Sequence, residues 1–268
     1  MNQNIRYWHN NIEYNKALPS PEKEVRPGVL WGEFTAVFTP AYWLTQYWMN
    51  GFGENNFDIT RKYCGDIIEE TVFCLLGGYG ITAETARAVF VECQKNDMIE
   101  GMEESQEVWR EQLNKKYLVD GRYISYRFPN KKAKYISNAI AKLKKMDKKL
   151  EGKRLRQQLM QIDGIGPKTA GWIVRNCTGS DEVAIIDIHI QRAGQLCNLF
   201  DLTWTVSRHY WRMEEIFLDF CTQLQVKPSI FDFLIWEQMR KMGMLATDAV
   251  RRLMIKKDLA TDSTLAYA

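Results

Sequence analysis

Residues 162–192 read IDGIGPKTAGWIVRNCTGSDEVAIIDIHIQR, and the rest of the chain is organised around them. Leu155, Leu159 and Ile162 recur at helical spacing, so a helix runs into the stretch. Gly164-Ile165-Gly166-Pro167 reads as a tight turn. Lys168-Thr169-Ala170 then opens a second apolar helical run through Trp172, Ile173 and Val174. The pattern is helix, glycine hairpin, helix, spanning residues 155–177. Glycine permits positive φ and lets backbone approach a partner closely. Amides at the start of the second helix point outward, where an anion such as a phosphate fits. Nothing in the turn contacts base edges, so such a hairpin grips a backbone without reading sequence.

Lys168 and Asp187 form the chemical pair, nineteen residues apart. Asp187 ends an apolar run, Val183 to Ile186, and begins an amphipathic helix. A lysine becomes a nucleophile once its ammonium is desolvated and gives up a proton. A carboxylate beside it can orient the amine or stabilise positive charge developing on a sugar. Each feature has a plainer reading. Gly-x-Gly ahead of a helix is a common turn, Lys168 alone fits a solvated helix position, and Asp187 alone is a good N-cap. Short motifs decide little singly, and it is the joint pattern that favours chemistry.

The segment resembles the helix-hairpin-helix DNA glycosylase superfamily, in its lysine-bearing bifunctional branch. Members carry L-P-G-[VI]-G-x-K-x-A, then [VI]-D-x-H about twenty residues later. Here the matching residues are Ile162-Asp163-Gly164-Ile165-Gly166-Pro167-Lys168-Thr169-Ala170 and Ile186-Asp187-Ile188-His189. Asp163 stands where proline is usual, which sets an acid near the phosphate-facing turn. Arg127-Phe128-Pro129-Asn130-Lys131-Lys132-Ala133-Lys134-Tyr135-Ile136 resembles the archaeal-type branch of 8-oxoguanine glycosylases more than endonuclease III.

The resemblance implies an all-α, two-lobed glycosylase fold with the hairpin beside the interlobe cleft. It implies that Lys168 attacks the sugar of a flipped nucleotide while Asp187 stabilises the cationic transition state. Gly164, Gly166, Thr169, His189, Arg192 and Lys131 are the expected contacts to the DNA backbone. Trp172, Trp236 and Phe233 are candidates to stack on an extruded base, and ordinary core packing competes for each. Trp172 lies one turn beyond Lys168 on a face that follows it. Tyr79, in Gly77-Gly78-Tyr79-Gly80, is the candidate wedge that fills the gap left in the duplex. A monovalent cation at the hairpin carbonyls is also implied, with no other cofactor required. The substrate base implied is 8-oxoguanine. Another modified base, such as a hypermodified cytosine of phage DNA in an antiviral setting, remains an alternative, as does a non-catalytic DNA-binding hairpin.

Bulk properties agree with a globular DNA-binding protein. The chain has 268 residues, enough for one large domain or two lobes with a substantial core. No run of apolar residues is long enough to span a membrane, and the N-terminus lacks a signal peptide's apolar stretch. A cytoplasmic protein is expected, nucleoid-associated if bacterial, acting as a monomer on double-stranded DNA. Six cysteines, at 64, 74, 93, 177, 197 and 221, are scattered without metal-ligand spacing, so reduced thiols, no iron–sulfur cluster and no metal are expected. The net charge of +3 is uneven. From Lys115 to Arg156, fifteen Lys and Arg face Asp120, Asp147 and Glu151, a local +12 that leaves −9 elsewhere. A basic block just ahead of the hairpin suits a polyanion-facing surface.

Along the chain, residues 1–30 are polar, contain Pro19, Pro21 and Pro27, and are expected to form an extended N-terminal arm. The glycosylase domain is expected over residues 31–256, followed by a loose tail, 257–268. Helices are expected from Ala41 to Met49, across Ile67 to Leu76, from Thr82 to Gln94, around Glu104 to Leu113, from Ile188 to Leu199, over 206–224 and from Ser229 to Met242.

Overall fold

A computed structural model describes residues 1–53, 66–78 and 80–265, with side chains through 257. Among the described residues there are eleven helices and three two-stranded hairpins, so the expected helical class holds. The chain divides into two compact units, one of residues 1–57 and 181–268, the other of residues 58–180.

The first unit opens with strands rather than an extended arm. β1 (Gln3–His9) pairs antiparallel with β2 (Ile12–Leu18), Tyr7 opposite Tyr14. Asn10 and Asn11 turn the chain with φ of 49° and 62°, the double positive φ of a tight hairpin. Ile5, Tyr7 and Leu18 are buried, so one face of the ribbon joins the core. β3 (Glu24–Arg26) and β4 (Val29–Leu30) form a second short ribbon. α1 (Pro40–Met49) is capped by Thr39, whose side chain accepts from Tyr42 N–H, with Pro40 in the first turn. After the second unit come α8 (Ile188–Leu196), α9 (Val206–Leu224), α10 (Pro228–Met242) and α11 (Met244–Leu265). α11 carries helix through residues 257–265, where a loose tail was expected. The core packs Phe231 against Tyr47, Phe217 and Phe220, with ring centroids 6.0–6.2 Å apart. Burying such rings is the main stabilising term, about 1.5–3 kcal/mol for each large side chain.

The second unit contains α2 (Ile67–Leu76), α3 (Ala83–Lys95), α4 (Gln106–Leu113), β5 (Lys116–Val119), β6 (Arg122–Ser125), α5 (Pro129–Leu143), α6 (Gly152–Leu159) and α7 (Pro167–Thr178). Asp66 caps α2 through Ile68 and Glu69 N–H, and Thr82 caps α3 through Thr85 N–H. The β5–β6 hairpin turns at Asp120 and Gly121, φ 48° and 76°. α2 packs against α3, α5 and α7, and α6 packs against α7. Ala133, Ile136, Ala139, Ile140 and Leu143 form the buried face of α5, while Lys131 and Lys134 stay exposed. Lys131 and Lys134 thus lie on the solvent face of an otherwise ordinary core helix, while Lys132 turns inward.

Candidate active site

α6 and α7 are the two arms of the hairpin. Between them, Ile165 N–H donates to Ile162 C=O at 3.1 Å, closing the turn. Gly164 has φ +88°, and a Cβ there would lie 2.5 Å from the Tyr135 ring. The position therefore excludes a side chain twice over, by backbone conformation and by the close approach of α5. Gly166 differs. It is extended (φ −94°, ψ −179°), caps α7 without a side chain, and faces open space, with nothing within 4 Å of where a Cβ would be. Pro167 follows in the first turn and has no N–H to satisfy. Gly166 C=O is already engaged by Ala170 N–H at 2.9 Å. The amides of Lys168 and Thr169 thus end the helix at an open glycine cradle, the geometry that favours an anion. Lys168 itself is exposed, on the same first turn.

Lys131 joins this group through Tyr135. Its Nζ lies 5.5 Å from the Tyr135 ring centroid, and that ring covers Gly164. Lys131, Gly164, Gly166, Lys168 and Thr169 are thereby carried on α5 and the hairpin of one unit. Trp172 is half-buried. Its Nε1–H donates to Glu70 Oε1 at 2.8 Å, and Asn176 Nδ2 donates to the same oxygen at 2.7 Å. The Arg175 guanidinium sits 5.1 Å from the Trp172 ring centroid. Trp172 therefore fastens α7 to α2 as well as lying beyond Lys168. Burial pushes the Glu70 carboxyl above its usual pKa, and the Asn176 and Trp172 hydrogen bonds and Arg175 offset part of that rise.

A related arrangement holds the loop after α2. Lys132 Nζ donates to the carbonyls of Leu75 and Gly77, the last at 2.6 Å, so a lysine closes the C-terminal end of α2. Burial and the neighbouring Lys131 lower the Lys132 pKa. Tyr79, the candidate wedge, lies outside the described residues.

In the other unit Asp187 is the N-cap of α8 and is buried. Its Oδ1 accepts from His189 N–H at 2.8 Å and Ile190 N–H at 3.0 Å, and Oδ2 takes no part in the cap. The capping reading and the chemical one are therefore compatible on different oxygens. His189 and Arg192 are half-buried in the first turns of the same helix. Phe233 is buried on α10 and stacks on half-buried Trp236 with centroids 6.5 Å apart, and Arg240 lies 5.1 Å from the Trp236 centroid. Among the described residues, no three His, Cys, Asp or Glu form a group able to hold a metal, and no helix is long and apolar enough to cross a membrane.

Sequence reasoning passed over Tyr135, Glu70, Glu214 and Asp232. The acids carried a signal. Asp232 interrupts the apolar run Ile230 to Trp236, and Glu70 interrupts Ile67 to Leu76. An acid inside such a run is rarely buried unless it has partners.

The hairpin with its open glycine cradle, and the lysine on the first turn behind it, define a helix-hairpin-helix protein. Residues 54–226 match the family described as 8-oxoguanine DNA glycosylase. The chain is 32% identical over 116 residues to the 8-oxoguanine DNA glycosylase/AP lyase of Metallosphaera sedula, 41% of this chain and 57% of that protein. It is 37% identical over 124 residues to the corresponding protein of Saccharolobus solfataricus, 41% of this chain and 58% of that one. These matches thus span under two thirds of the relatives' own length. The crystal structure of Methanocaldococcus jannaschii 8-oxoguanine DNA glycosylase superposes with a TM-score of 0.51 at 26% identity, covering 73% of this chain and 90% of the other. The chain belongs to the 8-oxoguanine DNA glycosylase family.

Proposed function

We propose that this protein is a DNA glycosylase with AP lyase activity, acting on double-stranded DNA that contains a modified base, with 8-oxoguanine as the base removed. The observation that carries the reading is Lys168, exposed on the first turn of a helix whose N-terminal amides open onto a glycine cradle. The amides of Lys168 and Thr169 would bind a phosphate, with Lys131 on the same unit, and His189 and Arg192 are separate candidates for contact with the DNA backbone. In the same reading, carbonyls of the hairpin would hold a monovalent cation that helps to neutralise the DNA backbone.

The target nucleotide leaves the base stack, since its glycosidic bond is out of reach inside a duplex. The neutral Lys168 amine attacks C1′, and the bond from C1′ to the base breaks with the base as leaving group. Ring opening of the sugar gives a Schiff base to Lys168, and β-elimination then expels the 3′ phosphate. The Asp187 carboxylate stabilises the positive charge that develops on the sugar. Trp172 and Trp236, each half-buried, are the candidate rings for an extruded base, whereas Phe233 is buried and packs on Trp236.

Borohydride trapping on duplexes with single modified bases tests this. A covalent complex on 8-oxoguanine DNA that is lost in Lys168→Gln is the expected result. Trapping on hypermodified cytosine instead would change the substrate. Base release without any trapping, in wild type, would remove the lyase step.

A further inference from the structure

The approach to Asp187 is a turn at Asp181 and Glu182 followed by a run without helix or strand, Val183 to Ile186, with which no strand pairs among the described residues. Val183, Ala184, Ile185 and Ile186 are at most 4% exposed, so water cannot satisfy their backbone. Buried carboxylates do so instead. Ala184 N–H donates to Glu214 Oε1 at 3.0 Å, and Ile185 N–H donates to Asp232 Oδ2 at 2.8 Å. Ala184 C=O accepts from the Tyr210 hydroxyl at 2.9 Å. In the turn ahead of the run, Asp181 Oδ1 accepts from Ser229 N–H and its hydroxyl at 3.0 and 2.6 Å. The run is therefore held by two helices, through Glu214 on α9 and Asp232 on α10.

We propose that Glu214 and Asp232 are positioning residues for Asp187. A carboxylate only accepts hydrogen bonds and binds an amide more strongly than a neutral acceptor does. Two of them, 1–3% exposed, replace the missing neighbouring strand. They fix the depth and register of the chain two and three residues before Asp187, and so the point at which its free Oδ2 is presented. The proposal rests on the reading of Asp187 as the carboxylate that stabilises the sugar cation.

The test compares Asp232→Leu, Asp232→Asn, Asp187→Asn and the Asp187→Asn/Asp232→Leu double variant. Single-turnover base release, duplex affinity and melting temperature are measured for each. Asp232→Leu is expected to slow base release by about tenfold or more, the scale on which small misplacements of a reacting group act, with affinity within about threefold of wild type. Asp232→Asn keeps an acceptor oxygen and should restore the rate to within about threefold. In the Asp187→Asn background, Asp232→Leu should add little, because it acts through the residue already changed. Equal slowing in both backgrounds, or a lowered melting temperature with a wild-type rate in the folded fraction, overturns the proposal. If Asp187→Asn itself turns over at the wild-type rate, the role given to Asp187 fails, and the positioning role with it. Should Asp232→Leu not fold, Glu214→Met against Glu214→Gln supplies the same comparison from α9.

Discussion

The two glycines of the hairpin make opposite predictions. In Gly164→Ala the backbone must hold an alanine at φ +88°, which costs about 1–2 kcal/mol in the left-handed region. The new Cβ also falls 2.5 Å from Tyr135 Cδ2 and 2.8 Å from Cε2, so the ring must swing outward. Overpacking of that kind costs about 1–3 kcal/mol, for a combined loss of about 2–5 kcal/mol. Adding Tyr135→Ala removes the clash but not the φ strain, so the double variant should recover about half of the loss. Gly166→Ala meets neither penalty. Its φ of −94° suits alanine and nothing lies within 4 Å, leaving the poorer capping of alanine, about 0.5–1 kcal/mol. A methyl in the cradle would nevertheless obstruct a phosphate. Losing a hydrogen bond to a charged group is worth about 1.5–3 kcal/mol, or about 10- to 150-fold in Kd. Urea unfolding and fluorescence anisotropy on a duplex, at one fixed salt concentration, separate the two effects. Gly164→Ala should be unstable, and Gly166→Ala stable but weak on DNA. Wild-type affinity in Gly166→Ala would refute the cradle as a phosphate site. Wild-type stability in Gly164→Ala would refute the steric argument.

Other substitutions extend the test. Lys168→Gln should abolish borohydride trapping and leave duplex affinity within about threefold, because an exposed lysine adds only one phosphate-range charge. Asp187→Ala should lose about 1–2 kcal/mol with the cap to His189 and Ile190, while Asp187→Asn keeps the Oδ1 acceptor and should lose activity with little stability. Glu70 makes a pH prediction. Its folded pKa is raised above 4.5 by burial, so its favourable contribution is complete below about pH 4.5 and is lost as pH rises through the raised value. The melting temperature of wild type relative to Glu70→Gln should therefore be highest at acid pH and fall toward neutrality. Lys132→Met should leave the Leu75 and Gly77 carbonyls without their donor, cost about 1–3 kcal/mol, and speed amide exchange at the end of α2.

The hairpin was readable because its signals are local: apolar spacing, glycine, a proline at the first helical position and a capping acid all fall within one stretch. The helices that begin at Pro40, Ala83 and Pro228 were readable for the same reason. The three β-hairpins were missed, although two of them carried a sign. Tyr117 to Ile124 reads YLVDGRYI, and Asp-Gly between such runs is a strong turn signal. In β1, Ile5 and Tyr7 alternate with Asn4, Arg6 and Trp8, but prolines farther along the arm outweighed that alternation. The Glu70, Glu214 and Asp232 contacts were out of reach, since each joins residues distant in sequence. Glu214 lies thirty positions from the amide it holds, and Asp232 forty-seven from its own. No periodicity reports which buried acid meets which backbone donor.

The first unit is discontinuous, since the whole of the second is inserted between residues 57 and 181. During synthesis the second unit has its complete sequence in hand before the first does, and domains tend to fold as soon as their chain is available. Ile5, Tyr7 and Trp43 belong to a core that also contains Phe217, Phe220 and Phe231. Those earlier side chains must wait, with their apolar surface uncovered, until α9 and α10 emerge. Truncation to the family-matched stretch 54–226 would make that wait permanent, because it removes β1, β2, α1 and α10 together. Lys168 can thus reach its final surroundings while the chain that holds Asp187 in place is still being made.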